Sequence, residues 1–129
     1  MTGRPGPVEL AVRSSVTEGE SLPTPTGSSQ FVVDVINGRG VVLLFGKKRT
    51  PTPIGWGCLE GVVDFLRGRG WIPVGANRDL AGNPGTLDEH MKAHVPRQTA
   101  NYVAVLLERA GVVELSRGRP AQVKLAAGA

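Results

Sequence analysis

The chain has 129 residues, 40% hydrophobic but only 5% aromatic, with a formal net charge of +4 and one cysteine, Cys58. That length suits one small domain, or one domain with an appendage, around a core of Val, Leu and Ala. A single cysteine excludes an internal disulfide and a cysteine-built zinc finger, no apolar run is long enough for a membrane span, and Met1–Pro7 lacks the apolar stretch of a signal peptide, so the expectation is a soluble, cytoplasmic protein.

Eleven of the fifteen basic residues are Arg, which forks onto phosphates and guanines more readily than Lys. The same Arg-rich, Ala/Gly/Val-rich composition also follows from GC-rich coding. The 18 Gly and 10 Pro punctuate short elements and argue against a long helical bundle.

Residues 1–30 read as a mostly flexible segment with one strand. Val8–Arg13 alternates apolar and polar residues, which predicts that strand. Ser14–Gln30 is rich in Ser, Thr, Pro, Gly and Glu and reads as a linker. Residues 31–50 read as a β-hairpin extension, with apolar strands Phe31–Ile36 and Val41–Phe45 about the turn Asn37-Gly38-Arg39-Gly40. Gly46–Thr50 is a basic exit carrying Lys47, Lys48 and Arg49, and Thr50-Pro51-Thr52-Pro53 is expected to break regular structure.

Residues 53–126 read as a second unit. Leu59, Val62, Val63 and Leu66 have helical spacing over about Ile54–Arg67, with Cys58 a buried thiol on that helix. Trp71–Val74 reads as a short extended piece and Ala76–Gly85 as a polar loop. Thr86-Leu87-Asp88-Glu89 fits a capping box that starts a helix ending near Val95. Pro96 suits the first turn of the next helix, which runs to Ala110 and stops at Gly111. Val112–Leu115 and Ala121–Ala126 are strands about a turn at Ser116–Pro120.

This order (helix, short strand, helix, tight turn, helix, strand, turn, strand) resembles the winged helix-turn-helix family. Its sharpest part is Arg97-Gln98-Thr99-Ala100-Asn101-Tyr102-Val103-Ala104-Val105-Leu106-Leu107-Glu108-Arg109-Ala110-Gly111-Val112-Val113-Glu114, which looks like a recognition helix leading into a wing. The fold class expected is therefore α+β, a winged helix-turn-helix preceded by a small antiparallel β-hairpin or sheet.

The resemblance implies a protein that binds double-stranded DNA, as a transcriptional regulator or accessory factor. Arg97, Gln98, Thr99, Asn101 and Tyr102 would face the major groove, where a bidentate pair gives about 1–3 kcal/mol of discrimination. The bland alternative is a solvated polar face on a core helix. At the wing, Arg117-Gly118-Arg119-Pro120 resembles the core of an AT-hook, whose arginines enter a narrow minor groove; it is also good turn chemistry. Lys124, with Lys47, Lys48 and Arg49, would add phosphate contacts, although the latter three also suit a solvated sheet edge.

Enzymatic readings have less support. His90 and His94 sit four apart without a third ligand. Asp34 has no strand-borne Glu-x-Lys after it, and Gly38, Gly40 and Gly46 do not form a phosphate loop. No catalytic residue, metal or cofactor is expected. The alternative is an interaction or assembly module on the same scaffold, in which the hairpin, apolar on both faces, pairs with a protein partner or forms a homodimer. A targeting domain of a nuclease or defence system is a further reading.

Overall fold

A computed structural model describes residues 5–77 and 81–127. Part of the loop expected over 76–85 therefore lies outside the described residues. Among the described residues the fold is α+β, with four helices, a four-stranded antiparallel sheet and a second sheet of three short strands.

The first element, α1 (Pro7–Ser15), corrects the strand expected at Val8–Arg13. Val8 and Val12 are buried, but Leu10 between them is 52% exposed, so the apolar alternation hid an i,i+4 helical face. Pro7 opens the helix, where its missing N–H costs little. Glu60, from a later helix, accepts the Val8 and Glu9 amides at 3.1 and 3.0 Å, satisfying two N–H groups that the first turn leaves free. Arg13 pairs with Glu9 one turn back at 2.8 Å.

Four strands follow as a meander: β1 (Glu20–Pro23), β2 (Gln30–Ile36), β3 (Gly40–Phe45) and β4 (Thr50–Gly55), in spatial order β1-β2-β3-β4. The β2–β3 hairpin lies where the sequence places it. Its turn is closed by the Asn37 side chain, whose Oδ1 accepts the Arg39 and Gly40 amides at 2.8 and 3.2 Å. Gly40 is left with φ 155° against the Ile54 carbonyl, where a Cβ would collide.

Two strands were not expected. β1 lies inside the segment read as a linker. β4 lies on Thr50-Pro51-Thr52-Pro53, read as a break. Both prolines fall on an edge strand and share one parity, so the ladder to β3 runs through amides of the other parity. Thr52 and Ile54 point inward and are buried, while Pro51 and Pro53 are exposed.

The remaining elements are α2 (Trp56–Leu66), β5 (Ile72–Pro73), α3 (Leu87–His94), α4 (Ala100–Arg109), β6 (Val113–Ser116) and β7 (Gln122–Leu125), with the second sheet in order β5-β7-β6. Thr86 is the N-cap of α3, but the capping box does not form. Its hydroxyl donates to the Asn83 carbonyl at 2.7 Å, and Glu89 accepts the Gly85 amide at 2.8 Å rather than that of Thr86. Inside α3 an ion pair is buried, Lys92 to Asp88 at 3.2 Å, with Lys92 also donating to the Asn77 carbonyl and side chain. Helix α4 begins at Ala100, so Pro96 stands outside it rather than in its first turn.

The core is one cluster of buried side chains running from Val8 to Val123. At its centre is α4. Five consecutive residues, Val103–Leu107, are buried, which places packing all around the helix rather than on one stripe. It packs against α3 and β6 and also against α1 and β1.

Candidate functional site

Burial of α4 decides what its first turn can do. Thr99 is completely buried, and its hydroxyl has no hydrogen-bond partner among the described residues. Asn101 is half-buried, with its side-chain oxygen likewise buried and unpartnered. A buried polar atom left so costs about 1–3 kcal/mol. Tyr102 stacks on Phe45 of β3 at 4.1 Å between centroids and meets Phe31 of β2 edge-on at 5.2 Å. The polar face expected to stand open at Arg97, Gln98, Asn101 and Tyr102 is therefore partly closed by the four-stranded sheet. Arg97 remains exposed, with its guanidinium 5.2 Å over the Phe45 ring and a 2.6 Å hydrogen bond to the Thr52 hydroxyl. Gln98 is half-buried.

The wing residues separate. Arg117 is bound bidentately by Glu108 at 2.7 and 2.6 Å, and those hydrogen bonds raise its pKa further. Lys124 lies 5.2 Å over the Trp71 ring and 3.8 Å from Glu114. Arg119 is exposed and forms an ion pair with none of the described residues.

Turns at one end of the sheet meet this surface. The β3–β4 turn carries Lys47, Lys48 and Arg49, all exposed. Arg49 has φ 51° and donates to the Gln30 carbonyl at 3.4 Å. The β1–β2 turn, 24–29, leaves the sheet at the same end, whereas Arg39, in the β2–β3 turn, lies at the opposite end. Two cavities open between these turns and α4. One, of about 420 Å³, is walled by Ser29, Gln30, Lys47, Arg49 and Tyr102. The other, of about 350 Å³, is walled by Thr24, Thr26, Ser28, Ser29, Asn101, Tyr102 and Pro120 among others. They share Ser29 and Tyr102, and no described wall residue is acidic. The arrangement is a trough with hydroxyls at one end and cations at the other, chemistry suited to an anionic, hydrogen-bonding ligand such as a phosphodiester.

Sequence reasoning brought Lys47, Arg49 and Tyr102 to this trough, with Arg97 beside it on the Phe45–Tyr102 stack. It missed Thr24, Thr26, Ser28, Ser29 and Gln30, which it assigned to a linker. A hydroxyl-rich run between two apolar strands was the signal available for them.

The histidines lie elsewhere. His90 and His94 rings are 4.7 Å apart, and His90 Nε2 is 2.9 Å from the Cys58 carbonyl oxygen. Burial lowers the His90 pKa and lifts the Cys58 thiol to about 11. Among the described residues no three His, Cys, Asp or Glu side chains could share a metal ion.

Comparison of this chain with protein-family profiles, with curated proteins and with solved structures finds no match. Among the described residues no helix is long and apolar enough to cross a membrane.

Proposed function

We propose that this chain binds duplex DNA on a winged helix-turn-helix scaffold, holding it by phosphate contacts from the β3–β4 turn rather than by a helix laid in the major groove. The scaffold reading is supported by the run α2-β5-α3-α4-β6-β7 with the sheet order β5-β7-β6. The observation that carries the DNA reading is the placement of Arg97, Lys47 and Arg49 about the Phe45–Tyr102 stack, beside walls with no described carboxylate. Among the described residues six basic side chains are engaged in ion pairs with acids, whereas Lys47, Lys48, Arg49, Arg97 and Arg119, like Arg39 and Arg69, form none. Unpaired cations can replace counterions on a phosphate backbone without first breaking an internal pair.

The buried α4 argues against laying that helix in the major groove to read paired bases. Arg117, held by Glu108, contributes little, and the wing acts through Arg119. Fluorescence anisotropy with a labelled duplex at low salt tests this. The combined variant Lys47→Ala/Lys48→Ala/Arg49→Ala is expected to bind at least tenfold more weakly, and Arg117→Ala within about twofold of wild type; each tenfold step is about 1.4 kcal/mol. Equal affinity of the triple variant and wild type would falsify the reading.

A second reading, assembly through the four-stranded sheet, rests on a separate observation. Val32, Leu44 and Pro51 form one cross-strand row and Val35, Val42 and Pro53 another, and all six side chains are exposed or half-exposed. A sheet face so apolar favours contact with another apolar surface. Light scattering that gives a dimer for wild type and a monomer for Leu44→Lys supports it; a monomer in both cases sinks it.

A further inference from the structure

The cavity beside Pro120 is not used by the phosphate contacts just described. Its walls include Thr24, Thr26, Ser28 and Ser29 together with Asn101 and Tyr102; within the turn the Thr26 and Ser28 hydroxyls bond to each other at 2.8 Å and the Thr24 hydroxyl donates to the Ser29 carbonyl at 3.3 Å. Its volume, about 350 Å³, lies within the range of small-ligand pockets and holds a nucleobase with its sugar. Asn101 brings a second, independent feature. Its side-chain oxygen is buried without a partner among the described residues, so the amide has hydrogen-bonding capacity that they leave unused. That oxygen is closed to solvent in this conformation, so the Asn101 side chain must turn toward the cavity for its amide donor and acceptor, the pattern that matches the amine and ring nitrogen of adenine, to reach a base. Ser29 and Tyr102 also wall the neighbouring cavity that holds Lys47 and Arg49, so a phosphate at that turn and a base beside Asn101 are adjacent stations.

We propose that this hydroxyl-lined cavity receives one unpaired nucleotide of a DNA strand, its phosphate on Lys47 and Arg49 and its base, adenine by preference, against Asn101 and Tyr102. The proposal rests on the DNA reading above but adds selectivity for a gap, overhang or extruded base over intact duplex. A base taken out of the stack loses pairing and stacking, and an already unpaired base avoids that loss.

Anisotropy titrations of the full chain against a blunt duplex, the same duplex with one unpaired adenine, and one with an unpaired thymine test it. Wild type is expected to bind the unpaired-adenine duplex about tenfold more tightly than the blunt one, with thymine between. Asn101→Ala and Ser28→Trp, the latter an exposed turn residue whose enlargement fills the cavity, are each expected to remove that preference while leaving blunt-duplex affinity within twofold. Equal affinity for blunt and unpaired substrates, or a preference retained in both variants, overturns the proposal and leaves the duplex reading standing. Binding of unpaired strand alone, with none to blunt duplex and loss in Asn101→Ala, supports the cavity and contradicts the duplex reading. No binding to any of the three overturns both.

Discussion

Arg49 has φ 51°, in the left-handed region that a residue with a Cβ occupies at a cost of about 1–2 kcal/mol. Glycine adopts that conformation freely, so an Arg at this position costs stability that a glycine would not. Arg49→Gly is expected to raise unfolding free energy by up to about 1 kcal/mol while weakening DNA binding several-fold; urea unfolding and anisotropy on the same variant check both halves. His90 offers a test of the core instead. Burial, opposed by the backbone bond to Cys58 and aided by nearby His94, lowers its pKa below the ordinary 6.5. The unfolded chain therefore takes up the proton first as the pH falls. The stability that neutral His90 contributes is fully present above about pH 6.5 and is lost as the pH drops toward the folded-state value. Unfolding free energy measured from about pH 7 to pH 5 is expected to decline less steeply in His90→Gln than in wild type; parallel curves would contradict this.

Helix α4 shows at the scale of an element what the sequence could and could not convey. Its apolar spacing at Ala100, Val103, Ala104, Leu107 and Ala110 predicted one shared face; the first four are buried and Ala110 is half-buried. What the spacing did not convey is that the other side is covered too, because Val105 and Leu106 become core only when the N-terminal elements pack there. That covering was illegible for local reasons. In α1, apolar residues at 8, 10 and 12 mimic a strand, and the helix depends on Glu60, 52 and 51 residues further along, for its first amides. In β4, two prolines signal a break unless one knows that the strand is an edge. The β2–β3 hairpin and α2 were legible because their signals are local. Tyr102 joins the two halves through Phe31 and Phe45. Tyr102→Ala is expected to lose about 2–3 kcal/mol of stability in chemical denaturation, and Tyr102→Phe less than about 0.5 kcal/mol, since the ring rather than the hydroxyl makes these contacts.

For the whole molecule, the net charge of +4 understates how its cations are distributed. Ion pairs with Glu and Asp engage Arg13, Arg67, Lys92, Arg109, Arg117 and Lys124, so the wing and helix that the sequence put forward carry less free charge than their composition implies. The three consecutive cations of the β3–β4 turn have no such partner among the described residues, and two of them, Lys47 and Arg49, share a cavity wall with Tyr102 at the start of α4. The most direct measurement is the salt dependence of duplex binding, since each phosphate neutralised contributes a slope of about −0.9 in log K against log salt. The variant Lys47→Ala/Lys48→Ala/Arg49→Ala is predicted to have a slope shallower than wild type by about two to three, and Arg117→Ala a slope unchanged within about 0.3. A wild-type slope in the turn variant, with a loss in Arg117→Ala, would contradict the account and return the binding surface to the wing.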